Sequence, residues 1–284
     1  MKAASFDYAK PSTLAEAISL KQEHGDSARF LAGGQSLLPA MNMRVGRFCM
    51  LIDINGIEEL EGISEDQGTV RIGALTRTQA VGKSEIVASC TPLLAKCVEH
   101  ISHPAIRELG TFDGSVVQAD PAAEWPAACL ALDAKMIAVG PAGERAIDAG
   151  SFYKGYFETA LAEDELLACL EFPVQPDGVR AVALEQVRRR GDFAIVGVLA
   201  QAIPGPDGKL QEPRFAFFGL ADRPVRLSEV ERHLEASSHD AIEQAITSLE
   251  QGCTITGDLY HAPATKKYLA GVLVAEAIDQ ILKT

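Results

Sequence analysis

Leu31-Ala32-Gly33-Gly34-Gln35-Ser36-Leu37 and Gly110-Thr111-Phe112-Asp113-Gly114-Ser115, the latter running on to Ala119-Asp120-Pro121, are the stretches that decide how this chain is read. Each combines glycine backbone, small hydroxyl side chains and amides that stand free where a helix begins. A helix start of this kind points N–H groups at an anion. Glycines allow an anion to approach the main chain closely. Taken singly, each stretch reads equally well as a tight turn before a helix. Together they can hold the two ends of a pyrophosphate, and so a dinucleotide.

Around the first stretch the sequence reads as a small α/β unit of about 56 residues. Thr13-Leu14-Ala15-Glu16 is a capping box, and Gly25 suits the end of the helix it starts. A strand over Arg29–Ala32 runs into Gly33-Gly34, a short helix follows over Gln35–Met41, and Phe48–Ile54 reads as a buried strand. Residues 57–175 change texture. A strand is expected over Thr69–Gly73, helices near Thr76–Val81 and Pro92–Ile101, a hairpin over Lys135–Ile147 and a strand over Glu165–Phe172. Asp120-Pro121 has the pattern of a helix start, with Asp at the N-cap and Pro at the first position. Gln175-Pro176-Asp177-Gly178 is the expected boundary. Beyond it come strands over Ala181–Val187, Phe193–Ala202 and Pro213–Leu220. The turn Gly205-Pro206-Asp207-Gly208 and helices near Ser228–Glu235, His239–Leu249 and Thr265–Leu282 complete the chain. The expected fold is α+β. A two-subdomain unit, residues 1–175, has a small α/β part and a larger mixed sheet with helices; residues 176–284 form an antiparallel sheet plus helices.

Composition narrows the function. The 284 residues are 47% hydrophobic and 23% charged, with a formal net charge of −13. No basic stripe is present, which argues against nucleic acid and against an anionic membrane surface. No segment is apolar over the roughly 18 residues a membrane span requires, and the first residues lack a signal-peptide pattern, so the chain is expected to be cytoplasmic. The six cysteines form no C-x-x-C pair and mostly sit in apolar stretches, so they read as buried small hydrophobes and no metal site is expected.

Other nucleotide motifs fail. There is no G-x-G-x-x-G, and Val81-Gly82-Lys83-Ser84 has Arg77 where a P-loop needs its first glycine. His100 and His103 are spaced to share a helix face but lack a further ligand. Asp120 either caps a helix or faces a ligand. Glu124, about one turn further on, either accepts from ribityl or ribose hydroxyls or meets solvent. Arg188-Arg189-Arg190 pairs with phosphate or a partner's acids, or is simply a charged strand end. No nucleophile–base or acid–base pair stands out, which suits a protein whose cofactor carries the chemistry.

These residues resemble the medium, FAD-binding subunit of molybdenum-containing hydroxylases, the carbon monoxide dehydrogenase and xanthine dehydrogenase family with its quinoline- and nicotine-oxidising relatives. The likeness runs from Phe6-Asp7-Tyr8 through both glycine stretches, Leu51-Ile52-Asp53-Ile54, Ile72–Thr76, Ile106-Arg107 and Asp120–Glu124. It ends with Arg189-Arg190-Gly191-Asp192-Phe193 and the last helix. The resemblance implies noncovalent FAD held by Leu31, Ala32, Gly33, Gly34, Gln35, Ser36 and Leu37 on one side and by Thr111, Gly114 and Ser115 on the other. Glu124 supplies a carboxylate near the flavin side, Asp120 is a further cofactor-binding candidate, Ile101 and Leu167 line the cofactor, and Phe193 lies by the isoalloxazine ring. It also implies a small [2Fe–2S] subunit, a large molybdopterin subunit, and a dimer of heterotrimers. An assembly subunit that has lost FAD is the alternative. Three residues depart from the family pattern. Asp113 replaces the first glycine of T-x-G-G, Ser115 an asparagine, and Glu124 an aspartate. Ser115 and Glu124 are similar to the quinoline-type relatives, which implies an N-heteroaromatic substrate; the electron acceptor is left open.

Overall fold

The computed structural model describes residues 2–206, 209–236 and 241–283. Its first unit is a parallel sheet. β1 (Asp7–Ala9), β2 (Ala28–Leu31) and β3 (Met50–Asp53) pair in the order β1-β3-β2. Parallel strands need crossover connections, and α1 (Leu14–His24) carries the chain from β1 to β2, the two strands that flank β3. The Thr13 hydroxyl accepts from the Glu16 amide at 3.2 Å, as a capping box requires. The reciprocal bond shifts by one residue: Glu16 Oε2 accepts from the Ser12 amide at 2.9 Å. Gly25, at φ +53°, ends the helix. Leaving β2, the chain turns at Gly33-Gly34 into α2 (Leu37–Asn42), which starts later than the expected Gln35.

The second unit is formed from β4 (Ile63–Asp66), β5 (Thr69–Gly73), a helical excursion and a return. The excursion comprises α3 (Thr78–Lys83), α4 (Glu85–Cys90), α5 (Pro92–Cys97), α6 (Pro104–Leu109), α7 (Phe112–Gln118) and α8 (Glu124–Ala131). The hairpin β6 (Lys135–Gly140) and β7 (Gly143–Asp148) follows. After it come α9 (Ala149–Phe152), the small pair β8 (Tyr153–Gly155) and β9 (Glu158–Thr159), and β10 (Leu166–Pro173). The sheet order is β4-β5-β10-β6-β7. A mixed sheet is expected from the sequence; every pairing observed is antiparallel. β10 enters between β5 and β6 and runs against both.

α8 is apolar on nearly every side and is buried along its whole length. Trp125 on α8 stacks edge-on against Phe112 of α7 at 4.4 Å between ring centroids, and Phe112 against Phe172 of β10 at 5.9 Å. This aromatic chain locks the start of α7 to the sheet. The expected helix at Asp120-Pro121 does not form there. Ala119 takes a left-handed conformation, and the Asp120 carboxylate turns back to accept from the Ala122 amide at 2.9 Å. Asp120 therefore closes a local turn, and the helix starts at Glu124 with Ala123 as its cap.

β11 (Arg180–Gln186), β12 (Val196–Pro204), β13 (Leu210–Phe218) and β14 (Val225–Arg226) make an antiparallel sheet in sequence order. α10 (Ser228–Ala236), α11 (Ala241–Gly252) and α12 (Pro263–Lys283) cover one face. Strand alternation sorts β13 between two cores. Phe215 and Phe217 face these helices, while Ala216 and Phe218 join the core around α8. The Asp207-Gly208 half of the expected turn and the expected helix start at His239-Asp240 lie outside the described residues.

All the cysteines are free; Cys97, Cys129 and Cys169 are buried, Cys90 and Cys253 half-buried, and Cys49 is exposed ahead of β3. Among the described residues no helix is long and apolar enough to cross a membrane.

Candidate functional site

The two glycine stretches meet on one cleft of about 680 Å³. They touch at Gly33, where an added Cβ would lie 2.5 Å from the Leu109 carbonyl oxygen and 2.8 Å from the Thr111 nitrogen. Only glycine permits that approach. Ala32, Gly33, Gly34, Gln35, Ser36 and Leu37 all line the cleft. Leu31 does not. Phe30 and Ala32 face the cleft, so strand alternation turns Leu31 the other way. Among the described residues, the Gly34, Gln35, Ser36 and Leu37 amides donate to no protein acceptor.

The second stretch is a helix, not a turn. Thr111 caps α7, accepting from the Gly114 amide at 3.2 Å. The Phe112 amide donates to the Thr76 carbonyl at 2.9 Å and the Asp113 amide to the Ala74 carbonyl at 3.3 Å. An added Cβ at Gly114 would meet Thr111 Oγ1 at 2.7 Å, so the cap itself demands glycine. Thr111, Asp113, Gly114 and Ser115 line the cleft opposite the first loop.

Ile101, Leu167, Asp120 and Glu124 line the same cleft, as does Phe193, which is 67% exposed. Glu124 is buried at the first position of α8, and its carboxyl is pushed up to about 8. Burial is the main cause, with Glu185 and Asp120 adding to it. Burial raises Asp120 as well. Asp113 is 5% exposed, and burial pushes its carboxyl up to about 7. Its Oδ1 is enclosed without a hydrogen-bond partner.

His100 and His103 do not assemble as a pair. His100 lies past α5 and pairs with Glu185 at 3.3 Å, whereas His103 caps α6. Among the described residues no cluster of His, Cys, Asp and Glu can hold a metal. Val81-Gly82-Lys83-Ser84 closes α3 rather than opening a phosphate loop. Arg188, Arg189 and Arg190 are exposed, and Gly191, Asp192 and Phe193 after them line the cleft.

Sequence reading missed the network that joins the two stretches. Asn55 Nδ2 donates to the Ala32 carbonyl at 2.9 Å and to Asp53 Oδ1 at 2.6 Å. Its Oδ1 accepts from Arg77 at 2.7 Å, and Arg77 also donates to the Leu109 carbonyl at 2.8 Å. Tyr8 anchors the other Asp53 oxygen. An Asn directly after a buried strand was the available signal; nothing local marks Arg77 as its partner.

The cleft fits a dinucleotide. The free amides of Gly34–Leu37 are donors for a pyrophosphate, the contact at Gly33 brings the second stretch against them, and Ile101, Leu167 and Trp125 give apolar walls.

Residues 4–175 match the family model described as the FAD binding domain in molybdopterin dehydrogenase, and residues 183–281 match the CO dehydrogenase flavoprotein C-terminal domain. The 6-hydroxypseudooxynicotine dehydrogenase complex subunit alpha of Paenarthrobacter nicotinovorans is 33% identical, over 100% of this chain and 98% of its own. The structure of carbon monoxide dehydrogenase from Hydrogenophaga pseudoflava superposes with a TM-score of 0.94, at 32% identity and 98% coverage of both chains. Quinoline 2-oxidoreductase from Pseudomonas putida 86 superposes with a TM-score of 0.92, at 29% identity, covering 100% of this chain and 99% of that one. A glycine-lined cleft built for a dinucleotide, inside a fold shared from end to end with these proteins, is that of the FAD-binding medium subunits of molybdenum hydroxylases, and the chain belongs to that family.

Proposed function

We propose that this chain is the electron-transfer subunit of a molybdenum-containing hydroxylase. It takes electrons from [2Fe–2S] clusters of a small partner subunit and passes them to an external acceptor. Bound FAD supplies the redox chemistry, accepting electrons one or two at a time. The residues of this chain bind and orient it. Gly34–Leu37 offer amides to the pyrophosphate, and Thr111, Gly114 and Ser115 close on it from the opposite wall. Asp120 and Glu124 would meet the ribityl and flavin side of bound FAD, Ile101 and Leu167 would exclude water, and Phe193 would cover the ring. The observation that carries this reading is the cleft in which free amides lie beside a second glycine stretch packed so closely that a Cβ on Gly33 would fall 2.8 Å from the Thr111 nitrogen.

The substrate reacts on a large molybdopterin subunit, and the assembly is a dimer of heterotrimers in the cytoplasm. An N-heteroaromatic substrate is supported by relatives named for quinoline and 6-hydroxypseudooxynicotine. The FAD-binding unit ends near residue 175 and the C-terminal domain begins there. An absorption spectrum of the purified protein, followed by FAD titration of the stripped protein, tests the reading. A flavin spectrum with saturable uptake of one FAD per chain is expected. A protein that carries no flavin and takes up none is instead the assembly subunit without FAD.

A further inference from the structure

One residue in the cleft has no counterpart in the T-x-G-G pattern. Asp113 is the second residue of α7 and lines the cleft together with Thr111 and Gly114. The Thr111 hydroxyl and Gly114 amide lie close enough to favour its ionised form, but that amide is committed to Thr111 Oγ1, and Asp113 Oδ1 is buried with no partner. A buried ionised carboxylate demands a cation or a full set of donors. The charged group that acts on it is Arg77, and the two arms of that guanidinium already donate to the Leu109 carbonyl and Asn55. The other acids lining the cleft are Asp120 in the turn after α7, Glu124 on α8, Glu165 ahead of β10, and Asp192. Arg29 and Arg107, which also line the cleft, donate to the carbonyls of Asp26, Ala28, Val98 and Ile101. Among the described residues no cation forms an ion pair with Asp113.

We infer that Asp113 works as a neutral acid whose carboxyl O–H donates to an anionic oxygen of the bound cofactor, so that binding FAD takes up a proton. This rests on the FAD reading above. A phosphate oxygen has lone pairs and no hydrogen, so it accepts from a protonated carboxyl and repels an ionised one. Burial holds the carboxyl near 7 in the empty cleft, and a neighbouring phosphate raises it further. The sign follows. The bound state holds the proton more tightly than the free state, so affinity is full at low pH and falls as pH rises through the free value. Asp113 is thus a positioning residue that replaces the glycine flexibility of the family pattern with a pH-dependent donor.

The test is calorimetric titration of FAD into the stripped full chain at pH 6, 7 and 8, each in two buffers of different ionisation enthalpy. The Kd of the wild-type chain is expected to rise about tenfold between pH 6 and pH 8. Its proton uptake per FAD rises toward one as pH passes 7. Asp113→Asn keeps a donor and cannot ionise; it should bind at pH 6 within about threefold of wild type and lose most of that slope. Equal slopes for the two proteins overturn the inference while leaving FAD binding intact. So does a wild-type affinity that strengthens with pH, the mark of a carboxylate accepting from a hydroxyl. The proton count on the wild-type chain decides the matter even if Asp113→Asn folds poorly, because no uptake above pH 7 means no donor acid. Absence of binding at every pH overturns both this inference and the reading it rests on.

Discussion

The two glycine stretches have similar composition and meet at one cleft, yet they are built in opposite ways. In the first, the Gly34–Leu37 amides are free and the Ser36 side chain makes no cap. In the second, the first three amides of α7 are engaged by the Thr76 and Ala74 carbonyls and by the Thr111 hydroxyl. One stretch is an open set of donors. The other is a braced helix start that presents side chains. The lesson is that a glycine-rich segment before a helix is an anion site only where the fold leaves its amides unpaired.

The strongest way to break the comparison is to force the two stretches apart. In Gly33→Ala the new methyl group falls 2.5 Å from the Leu109 carbonyl oxygen, against backbone that has no rotamer to change. Overpacking of this kind costs roughly 1–3 kcal/mol. Because the displaced atoms are the cleft itself, the expected loss in FAD affinity is about 30-fold to 100-fold. Fluorescence titration of FAD measures it, and an affinity unchanged within twofold means the contact at Gly33 plays no part.

A smaller effect is expected from the brace between them. Arg77→Ala removes the bonds to Asn55 and to the Leu109 carbonyl, and also the cation closest in effect to Asp113. Losing two partly exposed hydrogen bonds corresponds to about 1–2 kcal/mol. The expected reading is a Tm lowered by several degrees, with FAD affinity down about fivefold to tenfold. Asn55→Ala should reproduce most of it, and the double variant should cost less than the sum, because the two residues share one bond.

How much of this was legible follows from where the information lies. α1 was readable because its cap, apolar face and closing Gly25 are local. The β6–β7 hairpin was readable because the turn residues Gly140-Pro141-Ala142-Gly143 directly follow the apolar run of β6. α7 was not, because Phe112-Asp113-Gly114-Ser115-Val116-Val117 is a run of poor helix formers. It folds because Phe112 and Val116 are buried and Trp125 and Phe172 pack on Phe112, contacts the local sequence does not contain. The Asp120 reading failed for a related reason: Asp before Pro serves a turn as well as a cap, and the left-handed Ala119 selects the turn. The cleft residues were nameable because both stretches carry family-specific patterns. Asn55 and Arg77 were not, being 22 residues apart and joined only by the fold.

The finest test of the comparison sets two hydroxyls against each other. Thr111 and Ser36 both stand at the cap of a helix bordering the cleft, but only Thr111 makes the capping bond. Thr111→Ala should therefore destabilise the empty protein by about 1 kcal/mol, the ordinary worth of a cap. Ser36→Ala should change stability by less than about 0.5 kcal/mol. The order should reverse for what each hydroxyl does to the ligand. Ser36 is uncommitted and donates outward, so its loss should weaken FAD by a few-fold with no change in Tm. The Thr111 hydroxyl is tied to the Gly114 amide, so its effect on FAD should track the loss in stability. Chemical denaturation of the stripped protein, paired with FAD titration, separates the two. If both variants lose stability equally, the first loop is braced as the second is, and the contrast between an open donor set and a braced helix start does not hold.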